Sequence, residues 1–259
     1  LVEQLLSLKQ KKDSRVKKIF DIFKKQKEPK VIWWSVIDGL EKVIPVVKSK
    51  EYIPDWWRKA ERFTDNKDLM DRGTIKNCPS MPEFLSQGYV LPLWCDLHIT
   101  INENGFILQS PEPMFTFSSH NDAQFKNFLP QDIQNNISMV LKPNCPWRVK
   151  TPDGWSLMQL PMFYEFNPIF EVLPGVIWSD IHYEINQQML IKKYGEFELK
   201  RGTPLAMYVP YKRVKYKTDL QGTTQENSNW SNESYLHIKT KFNNGYRLNQ
   251  KNKCPFSKI

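Results

Sequence analysis

Hydrophobic and polar positions alternate along this chain with two different periods. In "LVEQLLSLKQKKDSRVKKIFDIFKKQKEPK" (1–30), Leu5, Leu8, Lys12, Val16, Ile19, Phe20 and Phe23 recur at threes and fours, with further lysines between them. That spacing predicts an amphipathic helix with one apolar stripe and one basic face, ended by Pro29. After residue 31 the period shortens. In "GYVLPLWCDLHITINENGFILQS" (88–110), Cys95, Leu97, Ile99 and Ile101 fall on one face and Trp94, Asp96, His98 and Thr100 on the other. Two strands joined at Asn104-Gly105, a favoured turn pair, are expected. Cys95 and His98 would then face opposite ways and could not share a metal.

The same grammar fills 143–211, where short apolar runs are broken by Pro-x-Gly, Leu-Pro-Gly and Arg-Gly-Thr-Pro turns. Such spacing favours antiparallel pairing over βαβ units. The expected fold is mainly β, an antiparallel jelly-roll or β-sandwich core with an N-terminal amphipathic helix and few short helices. Three segments follow: a basic helical arm over 1–30, a β-rich core over 31–216, and a polar linker with a basic tail over 217–259. The polar run "TDLQGTTQENSNWSNES" (218–234) offers few residues to bury and is expected to be a loop. Trp33-Trp34 and Trp56-Trp57, near Arg58 and Arg62, could stack bases or sugars. Adjacent residues on a strand point to opposite sides, so at least one ring of each pair is expected to anchor the core.

Composition adds three constraints. With 259 residues, 40% of them apolar, the chain can bury a substantial core. Cys78, Cys95, Cys145 and Cys254 lie far apart with no CxxC pair, which fits free thiols in a reducing compartment. No apolar run approaches the length of a membrane span, and no signal-peptide core follows the basic start. The charge of +9 is uneven: 1–30 carry a net +6, 212–259 a net +7, and the middle a net −4. Basic ends on a mildly acidic middle suggest an anionic partner at the ends.

Three segments carry a family likeness. "SQGYVL" (86–91), "GVIWSDIHYE" (175–184) and "RGTPLAMYV" (201–209) resemble, in order, motifs of the trimeric dUTPase and dCTP-deaminase jelly-roll superfamily. The resemblance implies a jelly roll that binds a nucleotide. The catalytic positions depart from it: Val90 stands at the first motif's Asp, Trp178 at the water-activating carboxylate, and Ile181 at the nucleoside-stacking Tyr. Asp180 is the one acid retained. Without a base for water or donors for phosphate, hydrolysis is not expected, and 175–185 reads as strand–turn–strand.

A closer resemblance covers about 50–213. "IPDWW", "KNCPSMPEFLSQGYVLPLWCDL", "PWRVKTPDGWS" and "KRGTPLAMYVPYKR" resemble an uncharacterised family found in tailed phages, including cyanophages, and in some bacteria. It implies a source and a virion or accessory role, with other virion or assembly proteins as partners. The lack of a signal or spanning segment suggests the host cytoplasm or virion as location, and self-association into a homo-oligomer is expected because closed jelly rolls often pack symmetrically. The resemblance brings no cofactor.

An enzyme reading stands beside it. His120-Asn-Asp122, His182 and Lys192 resemble the His-x-Asp…His…Lys/Arg set of Fe(II)/2-oxoglutarate oxygenases. Two imidazoles and a carboxylate would leave iron positions open for cosubstrate and oxygen, and Lys192 would pair with the 2-oxoglutarate carboxylate. The pattern is permissive, because His237 with Arg247 offers the same distal spacing. A third reading is a jelly roll that holds a nucleotide without hydrolysing it. The leading expectation is a non-enzymatic, phage-type structural or assembly protein.

Overall fold

The computed structural model describes residues 28–68, 72–78, 80–112 and 115–240, with backbone alone for 236–240. The arm expected over 1–30 falls almost wholly outside the described residues, as do the tail beyond 240 and Cys254. Within them the chain is mainly β, and every strand pairing is antiparallel.

The first sheet runs β1 (Ile32–Ser35), β7 (Met139–Lys150), β12 (Met189–Ile191) and β9 (Phe170–Val172), with β6 (Phe117–His120) and β11 (Glu184–Asn186) also on β7. The second runs β10 (Gly175–Ile177), β8 (Trp155–Pro161), β14 (Pro204–Lys212), β3 (Tyr89–Pro92) and β2 (Val47–Lys48). A third, smaller sheet runs β13 (Gly195–Leu199), β4 (Leu97–Asn102) and β5 (Gly105–Gln109). These sheets form a sandwich-like core and, among the described residues, no closed barrel.

β7 is the spine. Its first half pairs with β6 and β12, and its second half pairs with β1 and β11. Pro143 and Pro146, which lack the N–H a central strand needs, sit where the partners change. One core cluster joins all three sheets, through residues such as Leu91, Ile99, Leu141, Leu157, Met189 and Tyr208. Gly88, at φ 69°, brings two strands of the second sheet together: a Cβ there would lie 2.1 Å from the Tyr208 carbonyl oxygen. Only glycine fits.

The hairpin at 97–109 forms as its alternation requires, with Leu97, Ile99 and Ile101 buried and His98 exposed beside Glu198, 3.5 Å away. Two details differ. The loop residues are Glu103 and Asn104, with Gly105 already in β5 opposite Asn102. Trp94 is buried, not solvent-facing, because it precedes the strand and packs against Phe115. The tryptophan pairs divide as expected: Trp33 packs on the core while Trp34 is exposed, and Trp57 is buried while Trp56 is exposed.

The expected loop after 217 is partly a helix, Gln225–Thr240. Its start has local causes. The Thr224 hydroxyl accepts the Asn227 N–H at 3.1 Å, Glu226 sits in the first turn, and Gln225 donates to Asn229 at 2.9 Å. No described helix is long and apolar enough to cross a membrane.

Candidate functional site

The three dUTPase-like segments come together in the second sheet. Val90 pairs with Met207 across β3 and β14, Leu160 pairs with Met207 across β8 and β14, and Val176 pairs with Met158 across β10 and β8. After β10 the chain turns sharply, with the Trp178 carbonyl accepting both the Ile181 and His182 N–H groups, at 2.9 and 2.8 Å. It then enters β11. Residues 175–185 are therefore strand–turn–strand.

Asp180, the retained acid, is held on every side. Arg213, from just beyond β14, grips it in a two-pronged pair, with Nη1 2.8 Å from Oδ1 and Nη2 on Oδ2. The Gly154 N–H donates to Oδ2 at 2.9 Å. The Asp180 side chain is only 5% exposed. The Arg213 hydrogen bonds, helped by the Gly154 N–H against the cost of burial, hold its carboxyl down at about 2. Such a group is a poor proton acceptor at neutral pH. Arg213 also donates through Nη1 to the Trp155 carbonyl at 2.9 Å and to Ser156 Oγ at 2.7 Å. Below this clamp, the Thr151 and Ser179 hydroxyls bond each other at 2.8 Å in the interior.

The same turn points its large side chains outward. Trp178 is 58% exposed, Tyr183 53% and Ile181 74%. The Arg213 guanidinium lies 5.2 Å from the Trp178 ring centre, and that of Arg148 lies 5.9 Å from the Tyr183 ring. Tyr183 also meets Trp34 at 6.5 Å and stacks on His182 at 5.9 Å. Arg148 lies directly opposite both Trp34 on β1 and Glu184 on β11, and it is 3.8 Å from the Glu184 carboxylate.

The proposed iron ligands are not brought to one point. His120 ends β6 opposite Val140, near the start of β7. Asp122 follows in a single helical turn and reaches Lys126 at 3.8 Å. Lys192, just past β12, pairs with Glu171 at 3.6 Å. His182 lies at the other end of β7, beside Tyr183, whose carbonyl accepts the Val149 N–H at 3.1 Å. The nine residues from 140 to 149 place His182 about 30 Å along the strand from His120. No group of three His, Cys, Asp or Glu that could hold a metal occurs among the described residues. This set does not fit one iron.

A cleft lies at the Lys192 end. Its volume of about 380 Å³ is lined by Met162, Phe163, Phe166, Phe170, Glu171 and Lys192, among others. Phe166 holds φ 49°, in the left-handed region that non-glycine residues seldom occupy. Its ring meets Trp56 at 5.9 Å and Tyr164 at 6.5 Å.

Cys78, Cys95 and Cys145 are free, as the sequence suggested. Burial pushes the Cys145 thiol up to about 12 and the Cys95 thiol up to about 11, which makes both inert. Arg213, Arg148, Trp178 and Tyr183 were not singled out by the sequence as a set. Arg213 is 33 residues from Asp180, and only the sheet order makes them neighbours. No protein-family model matches the chain, and no curated protein matches it. A mainly β, sandwich-like protein with an outward-facing edge of rings and cations is the class that fold and site define.

Proposed function

We propose that this chain is a non-enzymatic structural or assembly protein of the tailed-phage type, associated with virions and built on a jelly-roll lineage. One observation carries the reading. Where the sequence resembles a catalytic motif, the remaining acid is consumed by an internal clamp, while the large side chains of the same turn are presented to solvent. A turn organised in this way serves as a rigid mount for a contact surface rather than as a source of acid or base. The phage-like segments "PWRVKTPDGWS" and "KRGTPLAMYVPYKR" supply the mount itself, since Gly154, Trp155, Ser156 and Arg213 all belong to them.

Assembly by symmetric packing predicts self-association. Sedimentation velocity of the full chain at tens of micromolar should show species heavier than the 30.8 kDa monomer. A strictly monomeric mass across that range would overturn the assembly role.

A further inference from the structure

Four segments meet at one edge of the molecule. Ile32 of β1 pairs with Lys150, and the Thr151 N–H donates to the Ser179 carbonyl at 3.1 Å. Trp155 pairs with Lys212, and the Arg213 N–H donates to the Gly154 carbonyl at 2.8 Å. Within 28–35, 148–155, 178–184 and 211–217 there are seven Lys or Arg and four acids. Two of those acids, Asp180 and Glu184, already hold Arg213 and Arg148. Lys30, Lys150, Lys212, Lys215 and Lys217 are all exposed. Among these cations stand four exposed rings: Trp34 at 39%, Trp178 at 58%, Tyr183 at 53% and Tyr216 at 83%.

We infer that this edge binds single-stranded nucleic acid, with bases stacked on Trp178, Tyr183 and Trp34 and phosphates against the lysines. The inference rests on reading this edge as a contact surface, but not on self-association. Charge alone would suit any polyanion, and rings alone would suit a neutral glycan. Their interleaving suits a ligand that alternates flat π faces with negative charge. A duplex keeps its bases stacked inside and would leave the rings idle. The guanidiniums against Trp178 and Tyr183 fix the rings and add cation–π attraction. Because the contact is to base faces, sequence preference should be slight.

The test is fluorescence anisotropy of the full chain with a labelled oligothymidylate, a duplex of equal length and labelled heparin, over a salt series. The single strand should bind tightest, with affinity falling steeply as salt rises. Trp178→Ala with Tyr183→Ala should weaken it at least tenfold, leave heparin unchanged and keep the salt slope, since no charge is removed. Titration should also quench tryptophan fluorescence in the wild-type chain. If Trp178→Ala disturbs Arg213 enough to lower Tm, Trp34→Ala with Tyr183→Ala carries the same test from the other flank. Binding that ignores these substitutions, or equal binding of duplex and single strand, overturns the inference while leaving an anionic partner at the basic ends. Failure to bind any of the three probes also overturns it, and the assembly role then stands or falls on the sedimentation result.

Discussion

Two of the regions that expose aromatic rings use them in opposite ways. At the cleft end, Trp56, Trp57, Tyr164, Phe166, Phe84 and Phe163 touch one another in a chain of edge and tilted contacts. Trp57 is buried there with Met81 and Leu85 as a small second core. At the turn end, Trp178 and Tyr183 have guanidiniums for neighbours and solvent on the outside. Rings that pack on rings stabilise a fold through buried area, while rings mounted on cations hold their shape and remain available. Residue type does not separate the two cases, nor does a cation neighbour alone, since Lys76 lies against Trp57; burial does, with Trp57 enclosed and Trp178 open to solvent.

The sharpest way to break this comparison is to remove one tryptophan from each region. Trp57 is 6% exposed, and Lys76 Nζ lies 5.0 Å from its ring centre. Trp57→Ala should cost about 3–5 kcal/mol, which for a chain of this size is roughly 10 °C in Tm. Trp178→Ala should cost at most about 1 kcal/mol. Paired urea melts would settle it. Equal losses would mean that Trp178 is a fold element and that the turn end is not a contact surface.

A smaller effect concerns the clamp. Asp180 has its carboxyl held at about 2, against an ordinary value of 3.8, by Arg213. A carboxylate lowered on folding adds stability above its unfolded value and loses it as pH falls through the folded one. The contribution should therefore be complete above about pH 4 and fade between there and about pH 2. Asp180→Asn should lower Tm by several degrees at pH 7 and flatten that part of the acid limb. A variant whose acid limb keeps the wild-type slope would show that the clamp does not link proton binding to folding.

How much of this the sequence disclosed depends on the range of each interaction. The 97–109 hairpin was legible because alternation and a short loop are local, and so was the strand–turn–strand at 175–185. The helix at 225–240 has few apolar residues to bury, so burial does not predict it; its local causes, the Thr224 cap and the Gln225–Asn229 pair, are visible in the sequence. The Asp180–Arg213 clamp was not legible at all. It exists because β14 pairs with β8 as far as Lys212 opposite Trp155, which carries Arg213 past Gly154 to the turn. His120 and His182 have a tolerable spacing in sequence, but the fold sets them beside opposite ends of β7.

The smallest effect sharpens the comparison through a second carboxylate. Glu165 lies at the cleft end, between Tyr164 and Phe166, and burial, followed by the nearby Asp55 charge, raises its proton affinity. That is the opposite of Asp180, where a guanidinium is within reach. A carboxyl raised on folding favours the native state while protonated and loses that advantage as pH rises through the folded value. Ionising Glu165 beside rings and a like charge therefore costs more in the folded chain than in the unfolded one. Glu165→Gln should then raise Tm at pH 7 by about 1 °C, and the gain should vanish as the medium is made acidic enough to protonate the wild-type side chain. Asp180→Asn moves Tm the other way at the same pH. Opposite signs for two acid-to-amide changes would show that one end is built on charge pairing and the other on ring packing. A loss of stability in Glu165→Gln would mean that its carboxylate has a stabilising role at the cleft and that the two ends are less different than their ring contacts suggest.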